Sequence, residues 1–318
     1  MRWLIASTLG IITAAGLAAV ASVHIYRAPG PLGHATEFVV PRGGTSVVAD
    51  ALARAGIIEH RSPFKAAAFL TAPEGPLHAA ELEFPSRASI AEVLTVLRFG
   101  HAVQHHVTIP EGLTAAQISV ILANADGLIG DLAVPAEGSV LPNTYDYTRG
   151  SARESLITRA QQAMRLQLAA AWRARAPDLP LHSEFQALIL ASVVEREAKL
   201  PVERRMIARV FLNRLSNGMK LQADPTALYG ASGGAGNLDR AVAHQDLTVS
   251  DSYNTYEIDG LPAGPICSPG VAAITAVLHP AAGDALYFVS DGTGGHVFAT
   301  SLGAHNENVT RLRGKKAK

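Results

Sequence analysis

Apolar residues recur every three to four positions in five stretches of the chain, and this spacing predicts amphipathic helices. The predicted helices cover residues 90–100, 151–176, 183–199, 204–218 and 270–279. The helix over 183–199 differs from the others because its middle, "ALILASVV", is apolar nearly all round. A helix without a polar face is typical of the interior of a domain, so we expect this one to be buried.

Between these helices, short runs of β-branched and aromatic residues predict strands. Such runs occur at residues 37–40, 101–110, 285–290 and 296–300. The first run leads into a Gly-Gly turn and a helix for which Thr45 is the predicted N-cap. A similar strand–turn–helix unit follows Val107, where Thr114 and Gln117 have the spacing of a capping box. Helices mixed with short strands predict an α+β fold.

The first 27 residues have another pattern, because Leu4 to Val23 carries no charged side chain. About 20 apolar residues are enough for a helix to cross a bilayer, so residues 1–27 predict a transmembrane anchor. A cleavable signal peptide is the competing interpretation, since residues 19–21, "AVA", have the small-x-small form of a cleavage site. Either segment would export the rest of the chain or tether it to a membrane. Residues 28–35, "APGPLGHA", form a linker.

The composition limits the classes of protein and the kinds of site that fit this chain. Of the 318 residues, 48% are apolar and 17% are charged, which is typical of folded domains. Lysine plus arginine and aspartate plus glutamate both number 27, and this neutral balance does not support a nucleic-acid-binding surface. The single cysteine, Cys267, excludes an internal disulfide and a multi-cysteine zinc site. No acidic or cysteine residue accompanies His101, His105 and His106 in this segment, so they are expected at surface or edge-strand positions and not as metal ligands.

Two glutamates, Glu195 and Glu197, follow the apolar run of the 183–199 helix. A carboxyl group at the end of a buried helix loses solvation, which raises its pKa and keeps it protonated near neutral pH. Such an acid can donate a proton to a glycosidic oxygen. The alternative is two solvated helix-end charges, with Glu195 paired to Lys199. Periodicity does not separate the two glutamates, because each continues an apolar line of the helix.

Two later segments place polar and aromatic residues in loops. In "LQADPTALYG" (221–230), Gln222 and Asp224 precede Pro225, and Asp224 could cap a following helix. The segment "SYNTYEIDGLPAGPICSPG" (252–270) brings aromatic and amide groups before a rigid, Pro/Gly-rich path. Aromatic faces and amides suit sugar rings with N-acetyl groups, although an ordinary ordered loop has the same composition.

Two other patterns were considered as sites. "GASGG" (230–234) matches the G-x-S-x-G nucleophile elbow around Ser232, but its flanks do not provide the strand and helix that this motif requires. His296 and His305 are followed by Asn306 in the last part of the chain. Histidines this far apart are usually structural, so we predict no metal site there.

Taken together, these segments resemble the endolytic murein transglycosylase family. The matching motifs come in the family's order and cover most of the chain after Val107. They are "TIPEG" (108–112), "EGSVLPNTYDY" (137–147), "LASVVEREA" (190–198), "VFLNRLSNGMKLQADPTALYG" (210–230), "YNTYEIDGLPAGPICSPG" (253–270) and "DALYFVSDGTGGHVFATSLGAHN" (284–306). The N-terminal strand–turn–helix region is similar to the small LysM-like module of these proteins. The resemblance is specific because several long motifs agree at once.

The resemblance implies a transmembrane anchor, a LysM-like module over 36–106, a mixed α/β catalytic domain over 107–310 and a basic tail over 311–318. It implies a single-pass protein of the cytoplasmic membrane, with its catalytic domain on the outer, periplasmic side. The substrate would be peptidoglycan glycan strands, cut at the β-1,4 bond between N-acetylmuramic acid and N-acetylglucosamine. No metal or organic cofactor is implied, and peptidoglycan synthases are possible partners.

Carried onto this sequence, the family's catalytic glutamate falls on Glu195, acting first as general acid and then as base to give 1,6-anhydromuramoyl ends. Glu197 is then left as a supporting or surface residue. The implied substrate-binding positions are Gln222, Asp224, Tyr253, Asn254, Tyr256, Glu137 and Tyr145. The alternative function is a non-catalytic peptidoglycan-binding scaffold at sites of wall synthesis. A fully exposed Glu195 paired to Lys199 would favour that scaffold.

Overall fold

The chain divides into two compact units, Met1–His105 and His106–Lys318. The computed structural model describes residues 2–237 and 244–316. Each unit contains buried apolar clusters of its own, with one cluster in the first unit and two in the second. A separate core in each unit is the property that defines a domain.

The first unit combines helices with one small sheet. Its elements are α1 (Arg2–Arg27), β1 (Thr36–Val39), α2 (Thr45–Arg54), α3 (Arg61–Leu70), β2 (Glu81–Phe84) and α4 (Ile90–Phe99). The strands β1 and β2 pair in antiparallel register, with Thr36 opposite Phe84. Leu52, Phe64 and Leu97 are fully buried in the cluster beneath this sheet.

Local patterns predicted part of this unit and missed part of it. The sequence did not predict α3 or β2. The prediction that Thr45 is the N-cap of α2 is wrong, because Gly44 occupies that position and makes no side-chain cap. Thr45 already belongs to the helix, so its hydroxyl is one position too late to take the capping role.

The predicted membrane anchor falls within α1. Residues 1–12 and 15 of the predicted anchor lie outside the part of the chain whose side chains the structure describes. Among the described residues, no helix combines the length and the apolar character that crossing a membrane requires. The predicted anchor is not confirmed by this structure.

The second unit holds more helix and two further two-stranded sheets among its described residues. Its elements are β3 (His105–Ile109), α5 (Ala115–Asn124), β4 (Asn143–Tyr147), α6 (Arg153–Arg173), α7 (Glu184–Glu197), α8 (Arg204–Ser216), α9 (Asp224–Ala231), α10 (Val271–Leu278), β5 (Tyr287–Ser290), β6 (His296–Ala299) and α11 (Leu302–Lys316). The strand β3 pairs with β4, and β5 pairs antiparallel with β6. This architecture confirms the mixed α/β prediction.

Helix α7 lies at the centre of the second unit and packs against α6, α8, α9 and α10. All eight residues from Ala187 to Val194 are buried, as the continuous apolar run predicted. The Ser183 hydroxyl caps the helix by accepting a hydrogen bond from the backbone N–H of Gln186 at 3.2 Å. The Gln186 side-chain oxygen accepts a hydrogen bond from the backbone N–H of His182. In a capping box the donor would be the N–H of Ser183, so this donor lies one residue earlier.

Two elements of this unit differ from the prediction. Residues 224–231 form α9 where a polar loop was expected, and Asp224 is the first residue of that helix. Ser232 follows a helix instead of the strand that a nucleophile elbow needs, which agrees with the rejection of that motif. At the other end, α11 continues into the predicted basic tail as far as Lys316, and residues 317–318 lie outside the described part of the chain.

Ser192 ties the 266–267 loop segment to α7. Its fully buried hydroxyl donates to the Ile189 carbonyl at 2.7 Å and accepts from the backbone N–H of Ile266 at 3.0 Å. The Cys267 thiol donates to the Ser192 carbonyl at 3.3 Å. Since Ile266 is itself buried, this hydroxyl satisfies a backbone donor that has no access to water.

We expect Ser192→Ala to lower the free energy of unfolding by about 1–3 kcal/mol, because it leaves the buried Ile266 N–H without an acceptor. Urea unfolding of both proteins measures the difference. Ser119→Ala is the matched control, since the Ser119 hydroxyl bonds only to the Ala115 carbonyl of its own helix. Equal stability of Ser192→Ala and Ser119→Ala would contradict the role assigned to Ser192.

Candidate active site

A polar cleft of about 450 Å³ opens at the carboxyl end of α7. The end of α7 meets there with the start of α9, the loop around Tyr256 and the β5–β6 hairpin. The lining residues are Arg196, Glu197, Lys199, Arg214, Leu221, Gln222, Asp224, Pro225, Tyr256, Phe288, Val289, Ser290 and His296. Three of the predicted substrate-binding residues, Gln222, Asp224 and Tyr256, therefore share one cavity.

Glu197 is the last residue of α7 and the acidic residue that α7 contributes to the cleft. Burial, which is the larger effect, and the negative charge of Asp224 together raise its pKa to about 7. The nearby Lys199 ammonium acts in the opposite direction. A carboxyl group with this pKa carries a proton in a large fraction of molecules near neutral pH, which is the property of a general acid.

Asp224 and Tyr256 are joined across the cleft. The Tyr256 hydroxyl donates to Asp224 Oδ1 at 2.5 Å. Burial and this hydrogen bond raise the pKa of Tyr256, so it remains a donor. The carboxylate also stands in the first turn of α9, where the helix dipole favours a negative charge. Asp224 is thus held in place as an acceptor beside Glu197.

Gln222 is held in a strained backbone conformation at the cleft. Its φ of +52° is unusual for a residue other than glycine. Its N–H donates to the Thr255 carbonyl at 3.1 Å, and its amide oxygen accepts from Arg214 Nη1 at 3.2 Å. Arg214, which is only 8% exposed, also donates to the carbonyls of Leu221 and Leu286. No sequence pattern predicted a role for this arginine.

Glu195 lies in a different environment. Its side chain is only 5% exposed, and it is not among the residues that line the cleft. Oε1 accepts from Arg204 at 3.0 Å, and Oε2 accepts from the Gly270 N–H at 2.9 Å. Burial is the largest effect and raises the pKa of Glu195 above its usual value; the negative charge of Glu111 adds to the shift, and the Gly270 N–H and Arg204 offset it only in part. The alternative of an exposed Glu195 paired with Lys199 is wrong, because the side chain is buried and pairs with Arg204.

The surroundings of Glu195 connect three of the motifs identified in the sequence. Arg204 Nη2 also lies 3.5 Å from a carboxylate oxygen of Glu111 in "TIPEG". The neighbouring Arg196 donates to the Gly112 carbonyl at 3.1 Å, and the Gly112 N–H donates to Ser268. We call Glu111, Arg204, Glu195 and the Gly270 N–H the clamp. It joins the turn before α5 to the end of α7 and the start of α10.

Glu137 and Tyr253, two further predicted binding residues, lie outside the cleft lining. The Glu137 carboxylate accepts from the N–H of Ala115 at 3.0 Å and from the Tyr229 hydroxyl at 3.1 Å. Burial raises the pKa of Glu137 against these hydrogen bonds. The Tyr253 ring packs on the Tyr229 ring, with centroids 4.8 Å apart. Both residues therefore support the start of α5 and the packing of α9.

Tyr145 and Asn254 are buried and internally bonded. The Tyr145 hydroxyl donates to the Leu141 carbonyl at 2.6 Å. Asn254 is 1% exposed, and its amide donates to the carbonyls of Leu247 and Val249. Its oxygen accepts from the Tyr256 N–H at 3.1 Å. Asn254 thus fixes the loop that carries Tyr256, while its side chain has no access to the cleft.

Comparison with known proteins identifies the family. A model of the YceG-like family matches residues 38–311. The chain belongs to the YceG-like family. It resembles a 2.6 Å crystal structure of a YceG-like protein from Listeria monocytogenes, with a TM-score of 0.52 and 27% identity over 86% of this chain and 99% of that one.

Two curated relatives of this YceG-like chain are each named endolytic murein transglycosylase. The Bacillus subtilis (strain 168) protein is 35% identical over 173 residues, which are 54% of this chain and 47% of the relative. The Streptococcus pneumoniae (strain D39) protein is 31% identical over 265 residues, which are 81% of this chain and 46% of the relative. The chain spans about half the length of the curated relatives it matches.

The pKa of Glu197 predicts how the stability of this YceG-like protein depends on pH. Its folded value of about 7 lies above the ordinary 4.5, so the folded state binds this proton more tightly than the unfolded state does. The stabilisation is complete below about pH 4.5 and is lost as the pH rises to about 7. We expect Glu197→Gln to be more stable than the parent by about 1–3 kcal/mol at pH 8, with no such gain at pH 4.

Urea unfolding at both pH values measures this difference. Glu257→Gln removes an exposed carboxylate near the same cleft and controls for the general loss of one negative charge. A constant difference between Glu197→Gln and the parent at pH 4 and pH 8 would show that Glu197 does not titrate as described.

Proposed function

We propose that the protein is an endolytic lytic transglycosylase that cleaves the β-1,4 bond between N-acetylmuramic acid and N-acetylglucosamine in peptidoglycan. The family membership and the names of the relatives support the substrate and the reaction. The observation that carries the chemistry is one carboxyl group, Glu197, with a pKa of about 7 in a polar cleft.

We assign the proton donor to Glu197 in preference to Glu195, the position that the family resemblance implied. Both oxygens of Glu195 already accept hydrogen bonds from Arg204 and Gly270. These hydrogen bonds hold both oxygens in place beside Arg204 and Gly270, and the side chain does not line the cleft. Glu197 faces the cavity, and its pKa is raised to about 7.

In the proposed reaction, protonated Glu197 donates its proton to the leaving glycosidic oxygen as the bond to C1 of the muramoyl residue breaks. Positive charge develops at C1, and the negative charge of Asp224 in the same cleft stabilises it. The ionised Glu197 then accepts the proton of the C6 hydroxyl, whose oxygen closes onto C1. The products are a free 4-hydroxyl end and a 1,6-anhydromuramoyl end, and Glu197 regains its proton without consuming water.

The rest of the cleft suits a glycan strand. Gln222 is exposed at the cleft, and an amide can both donate to and accept from sugar hydroxyls and N-acetyl groups. The Tyr256 ring and Phe288 provide flat apolar faces beside these polar groups. A non-catalytic scaffold would need only such contacts. The acid with its raised pKa favours the enzyme, because a scaffold gains nothing from burying a carboxyl group at a cost in stability.

The first test compares the two glutamates. We expect Glu197→Gln to lower the rate of glycan cleavage by about 100- to 10,000-fold, the usual contribution of a general acid. Glu195→Gln changes no residue of the cleft lining and is expected to retain more activity than Glu197→Gln, with lower stability because Arg204 loses the nearer of its two carboxylate partners. Digestion of purified peptidoglycan sacculi, followed by mass analysis of the products, measures both.

Matched thermal unfolding of the variants separates loss of chemistry from loss of fold. Loss of cleavage in folded Glu195→Gln with full activity in Glu197→Gln would reverse the assignment of the acid. Anhydromuramoyl ends are the expected product. Hydrolysed reducing ends would instead identify the enzyme as a muramidase, and no cleavage by the parent chain would favour the scaffold.

We further propose that the first unit serves attachment and glycan binding. Support for a membrane anchor comes from the uncharged run Leu4–Val23, and support for a LysM-like module comes from the separate core and sheet of residues 36–99. The catalytic unit would then lie on the outer side of the cytoplasmic membrane. The family resemblance also implies peptidoglycan synthases as partners, which stays a prediction.

Fractionation of cells that express the full chain tests the anchor. An inserted helix is expected to keep the protein in the membrane pellet through washes with 1 M salt, because burial of apolar residues does not depend on ionic strength. Detergent should release it. Release by salt alone, or recovery in the soluble fraction without cleavage, would contradict the anchor.

A further inference from the structure

His296 lies at the start of β6 and lines the cleft that holds Glu197 and Asp224. Its side chain is 10% exposed. The ring contacts Phe288 edge-on at a centroid distance of 5.2 Å and lies 6.4 Å from the Phe298 ring. These two rings restrict the plane of the imidazole, so the histidine does not reorient freely in the cleft.

Glu203 fixes the same imidazole through two contacts. One carboxylate oxygen accepts the backbone N–H of His296 at 2.9 Å, and the other lies 2.7 Å from Nδ1. A carboxylate only accepts hydrogen bonds, so we assign the hydrogen to Nδ1. In the neutral ring, Nε2 then carries the unshared electron pair and is an acceptor.

Nε2 remains available to a ligand. Within the described part of the chain it has no hydrogen-bond partner, and it is not one of the polar atoms that are shut off from solvent without a partner. A fixed acceptor at the wall of a cleft satisfies a donor that enters with a ligand. A glycan strand offers many such donors as hydroxyl groups and amide N–H groups.

We propose that His296, held by Glu203, is a substrate-binding residue that accepts a hydrogen bond from a hydroxyl or amide N–H of the glycan through Nε2. This inference rests on the proposed function, since it names a contact to the same glycan. It gives Glu203 the role of a positioning residue, because Glu203 acts on the sugar only through the imidazole.

Binding without turnover provides the test. In full-length Glu197→Gln protein, the affinity is measured for a peptide-free oligomer of alternating N-acetylglucosamine and N-acetylmuramic acid. We expect the further change His296→Phe to raise Kd about ten-fold, the factor that corresponds to about 1.4 kcal/mol. Phenylalanine keeps a ring against Phe288 and Phe298, so the change removes the nitrogens with little change in packing.

Two conservative variants show whether the acceptor matters. His296→Gln places an amide oxygen near the position of Nε2 and is expected to keep Kd within about three-fold of the parent. Glu203→Gln can donate to Nδ1, which moves the ring hydrogen to Nε2, and it is expected to raise Kd about as much as His296→Phe. If His296 had a purely structural role, the Kd values of these variants would not follow this order.

His106 offers a matched control in the same unit. Its Nδ1 lies 2.7 Å from an Asp146 oxygen, the same pairing as at His296, but it does not line the cleft. His106→Phe should leave Kd unchanged. If the Glu197→Gln parent binds the oligomer and His296→Phe binds it equally well, the inference about His296 is overturned and the proposed function stands. If the parent itself does not bind, the proposed function fails and the inference fails with it.

Discussion

The site depends on where the buried helix α7 ends. Eight consecutive apolar or small residues hold it in the core, so its last turn has a fixed direction when it reaches the surface. Each residue of an α-helix is rotated by about 100° from the one before, so Glu195 and Glu197 face opposite sides. One carboxyl group therefore meets the clamp and the other meets the cleft. Core packing along α7 therefore decides which glutamate lines the cleft.

The buried carboxyl groups of Glu195 and Glu197 have different surroundings. A buried carboxylate is stable only when donors replace the water it loses, and Arg204 with the Gly270 N–H provides them for Glu195. Glu197 has the opposite surroundings, since its strongest charged neighbour is the like-charged Asp224. Keeping the proton is the remaining way to avoid an unpaired buried charge. Two glutamates two positions apart thus have a positively charged neighbour in one case and a negatively charged neighbour in the other.

The sequence predicted the features that depend on local spacing. Periodicity located α4, α6, α7, α8 and α10, and the apolar run correctly predicted that α7 is buried. It did not rank the two glutamates, because the partner of Glu195 comes from Arg204, beyond the end of the helix. The family motifs placed Asn254 and Tyr145 at the substrate, but the structure shows that both side chains bond inward. The polarity of a residue in a motif does not show whether its side chain points into the protein or towards a ligand. These contacts are tertiary, and no spacing rule contains them.

The cleft itself is built from segment ends, and this explains how it keeps its shape. The end of α7, the start of α9 and the loop around Tyr256 meet without sharing a helix or sheet. Arg214 links these segments by donating hydrogen bonds to the backbone carbonyls of Leu221 and Leu286. The strained Gln222 is held between the Arg214 guanidinium and the Thr255 carbonyl. Strain of this kind persists only where the surroundings determine the conformation. The order of the cleft therefore depends on Arg214, a largely buried cation whose hydrogen bonds fix the backbone segments that form the cleft wall.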